Sequence, residues 1–149
     1  MFSTCYFKST KKGAAFPPRP KVLGFHAVDT MRYLLDTCVL LWTLENNRGK
    51  LKDLITIIEN PSNELAVSVV SYWEITIKKA LGKLVLPCNW IEVLDETGLF
   101  WLNLEPKHIQ QLESLPLIHH DPFDRLLISQ AKAEQMILLT VDEKIMQYQ

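Results

Sequence analysis

The sequence has few cysteines and no long apolar run. Its three cysteines, Cys5, Cys38 and Cys88, show no CxxC spacing and no companion histidine cluster, so the sequence indicates neither a disulfide framework nor a zinc site. No apolar run approaches the roughly 20 residues that a membrane-spanning helix needs. Residues 1–30 contain no uninterrupted apolar stretch like that of a secretory signal. We therefore expect a cytoplasmic protein that does not associate with membranes.

The sequence also lacks the strong positive charge that most nucleic-acid-binding proteins carry. Its formal net charge is -1, with 48% hydrophobic and 22% charged residues, which is typical of a globular domain. Residues 1–30 contain five Lys or Arg residues and one acidic residue, whereas residues 31–149 contain eleven Lys or Arg residues and sixteen acidic residues. The second part is mildly acidic, so a nucleic acid bound to it would require a local source of positive charge.

Two segments of different composition divide the chain. Residues 1–30 are basic and contain several prolines, and we interpret them as a disordered leader or an upstream extension, with an organelle transit peptide as the alternative. Residues 31–149 alternate short apolar runs with longer amphipathic ones, which indicates one α/β domain with a mainly parallel sheet. Its length suits a single hydrophobic core.

Strand and helix patterns alternate through the second segment. Strands are predicted over 32–36 (RYLLD), 64–70 (ELAVSVV), 99–104 (LFWLNL) and 136–140 (MILLT). Helices are predicted over 37–45, 50–60, 71–84, 89–98, 105–114, 121–135 and 142–148. Within the third of these, Ser71 is expected to cap the helix and Gly82 to end it.

Four acids occupy comparable places relative to these elements. Asp36 ends the first strand, Glu74 and Asp124 lie in the first turns of two helices, and Asp142 follows the last strand. The carboxyl ends of parallel strands share one edge of the sheet, where ligands bind. Carboxylates gathered there would raise one another's pKa unless a cation lay among them. A hard divalent ion, Mg²⁺ or Mn²⁺, is the expected occupant.

Each acid also has a purely structural interpretation. Asp121 and Pro122 match the N-cap and N1 positions of a helix, which would put Asp124 at N3, where it complements the helix dipole. Glu74 fits a capping box that begins at Ser71, and the two acids that follow strands could be caps as well. The position of the four acids distinguishes capping from a metal site. A metal site requires all four at the same edge of the sheet, whereas helix caps do not.

Four segments together resemble the PIN-domain ribonucleases of the VapC toxin type. They are MRYLLDTCVLLW, SVVSYWEITIKKALGKL, HHDPFDRLLISQA and ILLTVDEKI, and they span most of residues 31–149 in the family's order. The resemblance implies a three-layer α/β/α domain with a catalytic pocket of four acids. Carried over position by position, these acids fall on Asp36, Glu74, Asp124 and Asp142. It also implies a type II toxin with a cognate antitoxin and a homodimeric assembly.

The reaction implied is metal-assisted endonucleolytic hydrolysis of RNA. Asp36, Asp124 and Asp142 would hold Mg²⁺ or Mn²⁺, and Glu74 would be a further ligand or orient a water. Several residues have possible supporting roles. Asp121 would cap its helix, and the Thr140 hydroxyl could hold a water. Four basic residues could contact the RNA backbone or form a solvated face: Lys78, Lys79, Lys83 and Arg125. His119 or His120 could be a general base or pack in the loop.

The pattern departs from the family at both ends. The leader has no counterpart, and the sequence stops at Gln149, where relatives generally continue into a final edge strand. A haloacid-dehalogenase-like phosphohydrolase is disfavoured, because Cys38 stands where that chemistry needs a second aspartate. The remaining alternative function is a catalytically silent PIN-like module that binds RNA or protein.

Overall fold

Four short strands form the centre of the fold. The computed structural model describes residues 30–149, so the predicted leader lies almost wholly outside the described residues and stays a prediction. The strands are β1 (Arg32–Leu35), β2 (Glu64–Ser68), β3 (Phe100–Leu102) and β4 (Ile137–Leu139). They form one sheet in the order β3-β2-β1-β4, and every neighbouring pair is parallel.

Helices connect the strands and cover the sheet. Within the described residues they are α1 (Thr37–Leu44), α2 (Arg48–Leu51), α3 (Leu54–Glu59), α4 (Val69–Ala80), α5 (Trp90–Glu96), α6 (Pro106–Glu113), α7 (Pro122–Ala133) and α8 (Glu143–Met146). None of the helices in residues 30–149 is long and apolar enough to cross a membrane.

Alternating strand residues build two cores, one on each face of the sheet. Leu35 and Leu139 belong to the core that includes residues of α1, α2, α3 and α5. Leu34 and Leu138 belong to the core formed with α7 and α8. Successive side chains of a strand point to opposite faces, so a strand buried on both faces is apolar throughout. The three-layer α/β/α fold class predicted from the sequence is confirmed.

The helices over residues 50–60 and 71–84 differ most from the prediction. The helix predicted over 50–60 is two helices, α2 and α3, because Lys52 has a positive φ of 48° and ends the first of them. The turn lets both Leu51 and Ile58 reach the same core. Apolar periodicity alone does not reveal such a break, since both helices keep an inward-facing apolar side.

Helix α4 begins one turn earlier than predicted. Ser68, rather than Ser71, is its N-cap, and the Ser68 hydroxyl accepts a hydrogen bond from the amide of Val70 at 2.9 Å. Ser71 lies inside the helix, so the capping box predicted for Ser71 and Glu74 is wrong, and Glu74 falls in the second turn. The β-branched Val69 and Val70 favoured a strand locally, but the cap and burial decide otherwise. The prediction that the helix ends near Gly82 is confirmed.

The outer edge of β4 has no further described strand beside it. Within residues 30–149, β3 and β4 are the two edges of the sheet. The side-chain amide of Gln149 donates a hydrogen bond to the carbonyl of Leu138 at 2.8 Å. One outward-facing carbonyl of this edge is thereby satisfied by a side chain.

Replacing Ser68 by Ala should destabilise the protein by about 2 kcal/mol. The hydroxyl both caps α4 and donates to the buried side-chain oxygen of Gln130 at 2.5 Å, and Ala would leave both groups unpaired. Urea unfolding followed by circular dichroism measures the loss. Ser62→Ala is the matched control, because Ser62 is exposed; equal losses in the two variants would contradict the role given to Ser68.

Candidate metal centre

The four predicted acids meet at the carboxyl edge of the sheet. Asp36 directly follows β1, and Asp142 lies just beyond β4. Glu74 reaches this edge from the second turn of α4, which follows β2, and Asp124 from the first turn of α7. The charges of Asp36, Glu74 and Asp142 all act on the carboxyl of Asp124. The sequence-based expectation of a common edge therefore holds for the whole set.

Asp36 is buried at the end of β1 without acting as a helix cap. It occupies the N-cap position of α1, yet its side chain makes no capping hydrogen bond. Its Oδ2 instead accepts a hydrogen bond from the hydroxyl of Thr140 at 3.0 Å. Burial raises the pKa of Asp36 to about 6, the hydrogen bond from Thr140 acts in the opposite direction, and the charges of Glu74 and Asp142 raise it further. Capping does not explain this acid.

Asp121 and Asp124, at the start of α7, have different roles. Oδ1 of Asp121 accepts hydrogen bonds from the amides of Phe123 and Asp124, at 2.9 and 3.2 Å. The prediction that Asp121 caps the helix is thus confirmed, and Asp124 sits at N3. Burial raises the pKa of Asp124 to about 8, with the neighbouring carboxylates adding to the shift. Asp124 faces the other acids, and Asp121 fixes its position.

Asp142 is both a helix cap and a member of the cluster. Its Oδ1 accepts hydrogen bonds from the amides of Lys144 and Ile145 at the start of α8, at 2.7 and 3.4 Å. Its Oδ2 lies 3.5 Å from Nε2 of His119. The structural interpretation therefore accounts for one oxygen of this carboxylate, and the second oxygen is turned toward the other acids.

Thr140 links two of the acids. Its hydroxyl donates to Oδ2 of Asp36 and accepts from the amide of Asp142, both at 3.0 Å. Because its single proton is directed to Asp36, the hydroxyl joins the carboxylate that follows β1 to the backbone of Asp142 beyond β4. Its expected role in holding a water stays untested.

Glu74 and Lys78 form a buried ion pair one turn apart on α4. Their side chains are 7% and 8% exposed, and Oε1 of Glu74 lies 2.6 Å from Nζ of Lys78. The expectation of a solvated lysine face is therefore wrong for Lys78, although Lys79 and Lys83 are exposed. Among the buried side-chain atoms of the described residues, Oε2 of Glu74 stands without a hydrogen-bond partner. A buried carboxylate oxygen in that state is costly, and a cation beside it would remove the cost.

Arg125 organises the loop before α7. Its guanidinium donates to the carbonyls of Pro116, Leu115 and His119, at 2.9, 3.3 and 3.4 Å, and lies 3.3 Å from the hydroxyl of Tyr148. Its contacts thus shape the loop that carries His119. A direct contact with RNA backbone has no support in this arrangement.

His119 lies with the acids, whereas the sequence had offered His119 and His120 equally. Its Nε2 lies 3.2 Å from Oδ2 of Asp124 and 3.5 Å from Oδ2 of Asp142, and the three side chains offer ligand atoms within 4.8 Å of one another. The doublet HH before DPFD was the available signal. It could not tell which ring faces inward, and His120 is exposed.

The arrangement fits a hard divalent cation. The atoms that converge are mainly carboxylate oxygens, which Mg²⁺ and Mn²⁺ prefer. Two observations point the same way: the unpaired Oε2 of Glu74 and the raised pKa values of Asp36 and Asp124. The first leaves a buried oxygen without a partner, and the second reflects burial of the carboxyls first and the charges of neighbouring acids after it.

Comparison with known proteins places the chain in a family. The family model of the PIN domain matches residues 33–149. The chain belongs to the PIN domain family. Its fold is similar to a chain of the VapBC2 complex from Rickettsia felis bound to a DNA fragment from its promoter, with 20% identity, a TM-score of 0.58, and coverage of 78% of this chain and 92% of that chain. A search of curated proteins found no match. The PIN-domain resemblance drawn from four sequence segments is confirmed.

The metal-free PIN domain should lose stability as the pH rises from about 4 to about 8. The folded-state pKa values of Asp36 and Asp124, about 6 and about 8, lie above the ordinary value of 3.8. The folded state therefore binds more protons than the unfolded chain in this window, and stability falls as those protons leave. Mg²⁺ would offset the repulsion, so the increase in Tm between EDTA and Mg²⁺ should be larger at about pH 8 than at about pH 6. A smaller increase at the higher pH would contradict this.

Replacing Asp124 by Asn should stabilise the metal-free PIN domain while removing its response to Mg²⁺. The neutral amide avoids the cost of burying a charge and the repulsion from the neighbouring acids, a gain on the order of 1 kcal/mol, which corresponds to a rise in Tm of about 4 °C. Asp53→Asn is the matched control, because Asp53 is exposed and its side chain makes no capping hydrogen bond. Thermal unfolding with and without Mg²⁺ gives both readouts; an Asn variant that still gains stability from Mg²⁺ would remove Asp124 from the site.

Proposed function

We propose that this PIN domain is the toxin of a type II toxin–antitoxin system and acts as a metal-dependent endoribonuclease. The observation that carries the proposal is the convergence of four acids at one edge of the sheet, one of which, Glu74, has a buried Oε2 without a hydrogen-bond partner. The structural neighbour from Rickettsia felis is a VapBC complex, which supports an antitoxin as the partner of this chain.

Asp36, Asp124 and Asp142 are the residues that would hold Mg²⁺ or Mn²⁺. When bound, the cation lowers the pKa of the attacking water and offsets the charge that develops on phosphorus. The protein contributes the positions of the ligands. The Thr140 hydroxyl bonds to the carboxylate of Asp36 and the amide of Asp142. The carboxylate of Asp121 accepts a hydrogen bond from the amide of Asp124 and so positions this residue.

Glu74 completes the set from α4. Lys78 engages Oε1 at 2.6 Å and leaves Oε2 for the cation or for a water beside it. This division keeps the glutamate oriented without neutralising its second oxygen. A buried lysine is therefore part of the support of the catalytic site rather than a contact for RNA.

A bound cation also explains how an acidic domain can accept RNA. The part of the chain from residue 31 onward carries more acids than bases, which would repel phosphate. A divalent ion in the pocket reverses the local sign of the charge. The exposed Lys79 and Lys83 lie in and just after α4, on the same segment as Glu74, and could contact the backbone of the bound strand.

The partners follow from the same proposal. RNA is the substrate, a cognate antitoxin inhibits the enzyme, and two copies of the chain form a homodimer. Trp73 is 56% exposed beside Glu74 on α4 and contacts the ring of Phe123, next to Asp124, so apolar surface is available for protein contacts near the pocket. A toxin that cuts cellular RNA would act in the cytoplasm.

RNA cleavage by the purified full chain should require a divalent metal. We expect cleavage products with Mg²⁺ or Mn²⁺ and none with EDTA, and Asp36→Asn should reduce the rate about 100-fold or more. Asp53→Asn serves as the control at an exposed position. If the wild-type chain binds RNA and never cuts it with any divalent metal, the alternative of a silent RNA-binding module replaces the enzyme.

Expression of the full chain in bacteria without an antitoxin should arrest growth. The Asp36→Asn variant should leave growth unchanged, because it removes a buried carboxylate at the centre of the site without changing side-chain volume. Immunoblots establish that both proteins accumulate to equal soluble levels. Growth at the normal rate with abundant soluble wild-type chain would argue against toxicity.

A further inference from the structure

His119 presents one ring nitrogen to the acid cluster and the other to the backbone. Nε2 lies between Oδ2 of Asp124 and Oδ2 of Asp142, at 3.2 and 3.5 Å. Nδ1 lies 3.1 Å from the amide nitrogen of Asp121, which donates a hydrogen bond to it. The two nitrogens therefore have different chemical tasks.

The backbone contact fixes which nitrogen carries the proton. A neutral imidazole has one N–H donor and one lone pair. Because the Asp121 amide can only donate, Nδ1 must be the acceptor and the proton must be on Nε2. The Nε2–H group then lies 3.2 and 3.5 Å from two carboxylate oxygens, for which a partly positive N–H is the favourable neighbour.

The same contact disfavours His119 as a direct metal ligand through Nε2. A ligating nitrogen needs its lone pair, so the proton would have to move to Nδ1 and would face the N–H of Asp121. That amide cannot turn away easily, because Asp121 is the N-cap of α7 and its side chain is bonded to two further amides. Direct ligation would thus create two opposed donors at 3.1 Å.

The loop that carries His119 is held in place around the ring. The amides of Ile118 and His119 both donate to the hydroxyl of Tyr148, at 2.9 and 2.8 Å. That hydroxyl donates to the carbonyl of Pro116 at 2.7 Å, and Arg125 reaches the carbonyl of His119 at 3.4 Å. The orientation of the ring is therefore built into the fold.

We propose that His119 is a positioning residue of the metal site: its Nε2–H holds Asp124 and Asp142 at their working separation from outside the coordination sphere of the cation. This inference rests on the proposed metal site. Such groups around metal ligands commonly change metal affinity about 10- to 100-fold when they are removed. The role assigned here differs both from general-base catalysis and from loop packing.

Two substitutions separate the two nitrogens of the ring. In His119→Asn, the side-chain oxygen takes the place of Nδ1 and can keep the hydrogen bond from the Asp121 amide, but the shorter side chain has no group that reaches Asp124 and Asp142. Gln places an amide N–H near Nε2 and can keep the contact with the acids. We expect His119→Asn to weaken Mg²⁺ binding by at least about tenfold and His119→Gln to restore most of the loss. His120→Asn is the matched control, because His120 is exposed and should bind Mg²⁺ as the wild type does.

Isothermal titration with Mg²⁺, on full-length variants whose circular dichroism matches the wild type, measures the affinities. Equal affinity in His119→Asn and the wild type would overturn the positioning role. Equal losses in the Asn and Gln variants would also overturn it, since a donor at Nε2 would then not matter.

Nitrogen NMR of the full chain with ¹⁵N-labelled histidine tests the protonation directly. We expect the His119 ring to carry its proton on Nε2 in the metal-free protein and to keep it there when Mg²⁺ is saturating. Transfer of the proton to Nδ1 on addition of Mg²⁺ would show direct ligation and overturn the proposal. These readouts do not depend on RNA cleavage: a chain that shows them but leaves RNA intact loses the ribonuclease proposal alone, whereas a chain that binds no Mg²⁺ loses both.

Discussion

The burial of several carboxylates close together at one edge of the sheet is the constraint on which the rest of the structure depends. Burial and neighbouring charge raise the pKa of Asp124 to about 8, and Oε2 of Glu74 is buried without a partner. An arrangement of this kind lowers the stability of the metal-free fold. It persists because the parallel sheet brings the ends of β1 and β4 together and because helices α4 and α7 deliver their acids to the same place. A cation bound among these acids would therefore increase the stability of the fold where burial of charge lowers it most.

Individual acids are held by contacts that use one oxygen and leave the other available. Oδ1 of Asp142 caps α8, while Oδ2 faces His119. Oε1 of Glu74 pairs with Lys78, while Oε2 is unpaired. This division orients each carboxylate without satisfying it fully. Preorganised oxygens of this type suit a metal site, because the ion does not have to reorganise its ligands on binding.

Structural and functional interpretations of an acid are not exclusive here. Asp121 is a helix cap, and by capping α7 it fixes both Asp124 and the tautomer of His119. Asp142 is a cap and a member of the cluster at once. A residue that looks like a simple cap in the sequence can thus be the support on which the chemistry of its neighbours depends.

The sequence by itself determined the order of strands and helices and the placement of four acids at the ends of these elements. Periodicity, caps and strand ends are local patterns, so they can be read from neighbouring residues; where they compete, as at the Val69–Val70 pair, they misplace a boundary by a turn. Only the tertiary structure decided that Lys78 is buried against Glu74, that Thr140 bridges to Asp36 across 104 residues, and that His119 rather than His120 faces the acids. These outcomes depend on the direction of side chains and on packing between distant segments, and no local pattern specifies either.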